Sequence, residues 1–179
     1  MCETDAGDKG TLQLCPITDQ DFLEIISWIP DKSSCKLWAG PVIRFPLTVA
    51  MLKNDMGFHA GNTLSLKDTR KTLLGLGQLL KKPDNRIHLA RIVVSPEYRR
   101  QGFGKELCRG LMEAAKKRYG ECKFSLNVYT ENIHAVSLYE KLGFRQRPSL
   151  SAFTSDEPIV YMEKDAGLGE THAIKKTLF

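Results

Sequence analysis

No run within the 179 residues approaches the roughly 20 consecutive apolar residues needed to cross a bilayer, so a membrane-spanning helix is not expected. The opening MCETDAGDKG lacks both the basic end and the apolar stretch of a secretory leader, which predicts a cytoplasmic protein. Cysteine is sparse and irregular: positions 2, 15, 35, 108 and 122 form an odd set with no short paired spacing, which argues against a disulfide framework or a zinc site. Reduced thiols used for packing are the expectation. Histidine is equally scattered, at 59, 88, 134 and 172, and shows no ligand spacing, so no metal is predicted. The basic residues form no run interleaved with aromatics, and a net charge of +5 is modest, so nucleic acid is not an expected partner. That charge balance suits an anionic cofactor. No internal repeat is evident.

What is present is ordinary globular material, 42% hydrophobic and 26% charged. Its length fits a single domain over 1–179, with a core over about 12–165 and a C-terminal tail from 166 to 179. Thr18 and Asp21 have the spacing of a capping box before the apolar stripe Phe22, Ile25, Ile26 and Ile29, and Pro30 ends that helix. The stretch from Trp38 to Pro46 is broken by proline and reads as loop, followed by a short helix over about 48–56. Runs over 63–68, 71–80 and 86–94 predict a meander of antiparallel strands. A helix over 104–118, a strand over 122–129, a helix over 132–142 and strands over 144–149 and 159–164 complete the order. The whole is an α/β (α+β) fold, a mixed sheet with helices on its faces.

The residues with chemical promise lie where the third strand meets the helix that follows it. Ile92, Val93 and Val94 end an apolar strand, Pro96 turns the chain, and Arg99, Arg100, Gln101, Gly102, Phe103, Gly104 and Lys105 open the helix. Glycines there let a phosphate approach backbone N–H groups, the helix start adds partial positive charge, and Arg99, Arg100 and Lys105 add the rest. The same Gly102-x-Gly104 pair also serves a tight turn that merely packs helix on strand. No G-K-[ST] follows for a P-loop, and Leu107 stands at the third glycine position of a dinucleotide fingerprint. Gly75-x-Gly77 lies inside a strand and is weaker still.

Arg99-x-x-Gly102-x-Gly104 after Val93-Val94-x-Pro96 resembles the pyrophosphate-binding signature of the GNAT superfamily of acetyl-CoA-dependent N-acetyltransferases. The run from Asn127 to Phe144, containing Asn132 and Tyr139, is similar to that family's second segment. The likeness covers roughly 62–147, is only general over the first 60 residues and is absent from the tail. It implies a mixed, mostly antiparallel sheet with a splayed pair of central strands and helices on both faces. It implies acetyl-CoA as cosubstrate, with Ile92, Val93 and Val94 lining the pantetheine by their backbone edge and residues 99–105 holding the pyrophosphate. By the same resemblance Asn132 touches the pantetheine arm and Tyr139 is catalytic, protonating the departing thiolate.

The implied reaction is direct attack of a neutral amine on the thioester in a ternary complex, with a Val93 or Val94 N–H polarising the carbonyl. The acceptor would be a primary amine of a small molecule, an amino acid, or a peptide or protein, on a monomer or homodimer. One departure stands out: Asn127 occupies the position where members that acetylate protein amino termini often carry a glutamate. His88, Glu131 and a relayed water are then the candidates for removing the amine's proton, and none is singled out. Trp28, Trp38, Phe45 and Phe58 are candidates for lining an acceptor pocket. The alternative in another class is a coenzyme A-binding sensor without turnover.

Overall fold

The Thr18 hydroxyl accepts a hydrogen bond from the Asp21 N–H at 3.2 Å, and an Asp21 carboxylate oxygen accepts one from the Thr18 N–H at 2.9 Å. This reciprocal cap starts helix α1 (Asp19–Ser27) in a computed structural model that describes residues 11–58, 61–148 and 158–166. Asp21 is buried and does more than cap. Its carboxylate also meets the Lys67 ammonium at 2.8 Å and the Ser65 hydroxyl at 3.3 Å, tying the start of α1 to strand β2 (Thr63–Lys67).

Two more helices follow α1. Helix α2 (Lys32–Ala39) starts where Asp31 accepts from the Ser34 N–H at 2.7 Å and stops at Gly40, whose φ of 69° with ψ of −163° favours a residue without a side chain. The loop expected from Trp38 to Pro46 starts later than that, since α2 takes in Trp38 and Ala39. Pro30 and Pro41 lie just outside the helix at either end, where proline does no harm. Helix α3 (Val49–Asp55), capped by Thr48, falls where a short helix was expected.

The sheet continues with β3 (Leu73–Lys82), β4 (Arg86–Val94), β5 (Lys123–Tyr129), β6 (Arg145–Gln146) and β7 (Ile159–Lys164). A short strand β1 (Gln13–Pro16), too brief to show alternation in the sequence, adds to the edge of β2. The strand order is β1-β2-β3-β4-β5-β7-β6, antiparallel throughout except for the parallel pair β4 and β5. Helices α4 (Phe103–Tyr119) and α5 (Ile133–Lys141) pack on one face, with Leu107, Leu111, Tyr139, Phe124, Leu126 and Phe144 among the buried residues. The α1–α3 layer covers the other face through Phe22, Ile25, Leu52, Leu76 and Val93. The mixed, mostly antiparallel sheet with helices on both faces was thus foreseen. Ser149 and the tail beyond 166 lie outside the described residues.

Two irregularities in β4 shape everything near it. Gln78 faces Ala90 and Leu76 faces Val93, so Gly77 alone stands against both Arg91 and Ile92. Arg91 is the bulge residue, with φ of 52°. A strand has period two, so the extra residue swaps the faces: Ile87 and Leu89 join the α4–α5 core before the bulge, whereas after it Ile92 and Val94 pack there and Val93 joins the α1–α3 core. The second irregularity is that β4 and β5 pair only at Arg86/Lys123, Ile87/Phe124 and His88/Ser125. Beyond those pairs both strands run on, to Val94 and Tyr129, without a ladder between them.

Gly75 and Gly77 on β3 are packing residues. A Cβ on Gly75 would lie 2.7 Å from the Val93 carbonyl oxygen and 3.1 Å from Leu107 Cδ2, while one on Gly77 would strike the end of the Leu111 side chain. Backbone beside a bulge yields less than a side-chain tip. Chemical denaturation is therefore expected to show Gly75→Ala costing about 1–3 kcal/mol, and more than Gly77→Ala.

Candidate functional site

The parting of β4 from β5 opens a cleft of about 840 Å³. Helix α2 contributes Trp38, β4 contributes His88 and Ala90 to Ile92, β5 contributes Ser125 and Asn127, α5 and its cap contribute Tyr139 and Asn132, and β7 contributes Tyr161. The alternation of each strand explains the selection. On β5, Phe124, Leu126 and Val128 enter the α4–α5 core, which turns Ser125 and Asn127 to the other face.

Trp38 does not merely pack. Its indole N–H donates to the Arg91 carbonyl oxygen at 2.9 Å, binding α2 to the bulge. Arg91 Nη1 donates to the Gln78 amide oxygen, and the Gln78 amide nitrogen donates to the Met56 carbonyl at 2.9 Å, which fixes the orientation of that buried amide. Arg91 Nε is buried without a partner. Burial pulls the Arg91 pKa below its ordinary value.

His88 sits at the last paired position of β4 and β5, with Nδ1 3.0 Å from the Ser125 hydroxyl. Burial, reinforced by the nearby cations Lys82, Arg91 and Arg86, pulls its pKa down to about 4, so the imidazole is neutral at physiological pH. Tyr161, hydrogen-bonded to Ser125, donates to a Glu163 carboxylate oxygen at 2.5 Å and accepts from Arg86 Nη1 at 2.9 Å. Arg86 has acidic neighbours, Glu163 at 3.4 Å and Asp84 at 3.6 Å. Tyr139 is buried, stacks edge-on with Phe144 at 6.0 Å between centroids, and is held protonated because burial, and secondarily Cys108, raises its pKa. The Cys108 thiol beneath it is itself pushed up to about 12 by burial, consistent with a packing role.

Of the residues singled out by sequence, Ile92, Asn132 and Tyr139 line this cleft, and Val93 and Val94 continue the same strand beyond the bulge. Asn132 is the cap of α5 rather than a member of it, its side-chain oxygen accepting from the Ala135 N–H at 3.2 Å. Arg99, Arg100, Gln101, Gly102, Phe103, Gly104 and Lys105 do not line the cleft; they form the connection from β4 into α4. In that turn Arg99 Nε donates to the Val94 carbonyl at 3.3 Å, Arg100 Nη1 lies 3.4 Å from His134 Nε2, and Phe103 stacks on Tyr98. Gly102, at φ 89°, starts α4 with no side-chain cap, so its first backbone N–H groups face outward unclaimed by a side chain. A Cβ on Gly104 would press Leu138 Cδ2 at 3.3 Å, which makes that glycine a spacer between α4 and α5 as well.

Among the aromatic candidates only Trp38 lines the cleft. Trp28 is buried in the α1–α3 core, Phe58 packs there against Phe22, and Phe45 is exposed elsewhere. Glu131 is exposed outside the cleft, whereas His88 lines it. Sequence reading missed Arg91. The signal was there: a cation in register with Ile87, Leu89 and Val93 is tolerable only if the strand slips. Among the described residues no cluster of His, Cys, Asp and Glu could hold a metal, and no helix is long and apolar enough to cross a membrane.

Residues 25–144 match the family model described as acetyltransferase (GNAT) family. The chain is 35% identical over 75 residues to an N-alpha-acetyltransferase of Sulfurisphaera tokodaii, covering 42% of this chain and 45% of that protein. It is 41% identical over 58 residues, 32% of this chain and 38% of the relative, to the ribosomal protein bS18-alanine N-acetyltransferase of Escherichia coli strain K12. These matches therefore span less than half of either relative. The fold is that of the spermidine N-acetyltransferase of Vibrio cholerae solved with CoA and spermine, with a TM-score of 0.68 at 21% identity over 87% of this chain and 95% of that one.

The lowered His88 pKa carries a stability consequence. Between about 4 and 6.5 the unfolded chain binds a proton at this residue that the folded chain refuses, so stability falls as pH falls through that window. Urea denaturation is expected to show a loss of roughly 2 kcal/mol from this residue between pH 7 and pH 5. That component disappears in His88→Gln.

Proposed function

We propose, from the premise that this chain belongs to the acetyltransferase (GNAT) family, that it is an N-acetyltransferase moving acetyl from acetyl-CoA to a primary amine held in the cleft between β4, β5 and β7. The observation that carries this reading is the early end of the β4–β5 ladder at His88/Ser125. Past it, one edge of β4 has no strand partner, beside an uncapped helix start and the arginine turn. That combination fits an extended ligand with an anionic end: a backbone edge to hydrogen-bond it, and N–H groups with Arg99, Arg100 and Lys105 to meet its phosphates. The acceptors named for the relatives, a ribosomal-protein alanine and spermidine, have only an amine in common.

In this reading Ile92, Val93 and Val94 hold the pantetheine by their backbone, residues 99–105 hold the pyrophosphate, and Asn132 steadies the arm from the start of α5. Bound acetyl-CoA supplies an activated acetyl thioester. A Val93 or Val94 N–H donates to the carbonyl oxygen as it gains charge. His88, neutral and lining the cleft, accepts a hydrogen bond from the incoming amine at the ring nitrogen not facing Ser125, and Ser125 and Tyr161 connect it toward Glu163. Tyr139, kept protonated by burial, gives a proton to the leaving sulfur. Such work needs no metal, and the site lies in a cytoplasmic enzyme.

Two measurements test this. Titration calorimetry should show saturable acetyl-CoA binding that weakens about tenfold or more in Arg100→Ala, because a charge-assisted contact is lost. A thiol-release assay over an amine panel should show turnover, with Tyr139→Phe losing about a hundredfold in kcat while its coenzyme affinity stays unchanged. Tight coenzyme binding with no thiol released for any amine would replace the enzyme by a coenzyme A sensor.

A further inference from the structure

The cleft contains one partly buried cation that no described residue neutralises; Lys82, which also lacks an ion pair among the described residues, is exposed. Lys82, Asp84, Arg86 and Arg91 are the cleft's charged lining residues. Arg86 is answered by Asp84 and Glu163. Arg91 makes no ion pair among the described residues: its recorded partner is the neutral Gln78 amide, and its buried Nε has none. Holding a guanidinium away from water without an anion is costly, and most buried charges are paired.

The cost is imposed deliberately by neighbouring structure. The bulge at φ 52° takes Arg91 out of the register that sends Ile87 and Leu89 into the α4–α5 core. Trp38 then pins its carbonyl, and Gln78, oriented by the Met56 carbonyl, pins its guanidinium. A planar, preorganised fork on a residue that lines a cleft fits a carboxylate. A free polycation, by contrast, meets Lys82, Arg86 and Arg91 against a single lining carboxylate, Asp84.

We infer that the acceptor is a small amine bearing its own carboxylate, an amino acid, and that Arg91 binds that carboxylate while the amine faces His88. This rests on the acetyltransferase reading of the cleft. The un-neutralised cation serves a second purpose: beside Arg91 and Arg86 an ammonium loses its proton more readily, and the neutral amine is the attacking form. Arg91 is thus the specificity-determining residue.

The test compares each of a set of L-amino acids with its own carboxamide and with spermidine. The wild-type protein should acetylate at least one amino acid with kcat/KM about 10- to 100-fold above that of its carboxamide, the range expected when a charged hydrogen bond is lost. Arg91→Met should erase that ratio and Arg91→Lys should keep part of it, with melting temperature and acetyl-CoA affinity showing that the fold and coenzyme site remain. Calorimetry of N-acetylamino acids against their amides on the CoA-bound protein reads the same preference without turnover. Equal handling of acid and amide, a preference for spermidine or for tripeptides over amino acids, or an Arg91→Met effect confined to coenzyme affinity would overturn the inference while leaving the acetyltransferase standing. Absence of turnover on every amine, with no binding of the N-acetylated acids, would remove both.

Discussion

A β-strand presents alternate residues to opposite faces, and β4 has to serve two cores that want different residues from it. The bulge at Arg91 resolves the conflict. By inserting one residue against Gly77 it hands Val93 to the α1–α3 layer and Ile92 and Val94 to the α4–α5 layer. It also bends the strand just past the point where β4 leaves β5. The Trp38 tether and the placement of the Arg91 guanidinium both follow from that single extra residue, beside the cleft that the parting of β4 from β5 opens.

Much of this was legible beforehand. Alternation and helical spacing marked β2 to β5, β7, α4 and α5 to within a few residues, and the Thr18–Asp21 spacing marked the cap of α1. The turn from Arg99 to Gly104 stood out because its arginines and glycines lie between a strand and a helix, which is where the structure has them. What escaped notice depended on contacts distant in sequence. Strand β1 is too short to show a period and exists because β2 offers it an edge. Helix α2 was not assigned, and the expected loop overlapped its last two residues, Trp38 and Ala39. Asn132 and Tyr139 were expected on one side of a common helix, whereas the structure spends the Asn132 oxygen on capping and leaves the shared exposure to the cleft intact.

Charge in the cleft is organised by what is absent as much as by what is present. With Asn127 exposed on β5, no carboxylate stands at that strand's cleft-facing position, and neutral His88 is the polar group nearest the end of the ladder. Among the described lining residues the one carboxylate is Asp84, and it faces Arg86, as does Glu163. The described lining therefore carries three cations, Lys82, Arg86 and Arg91, to one carboxylate.

The brief ladder between β4 and β5 also divides the molecule mechanically. Only three residue pairs join the half-sheet β1–β4 to the half-sheet β5-β7-β6, and the rest of the joint is carried by α4 and α5 packed beneath it. Such a seam acts as a hinge, compliant until something bridges it. An extended ligand that hydrogen-bonds both edges stands in for the missing rungs and stiffens the two halves into one body. Those amide hydrogens along Leu126 to Tyr129 that point away from β7 would then exchange more slowly in the filled protein, making backbone rigidity itself a reporter of occupancy.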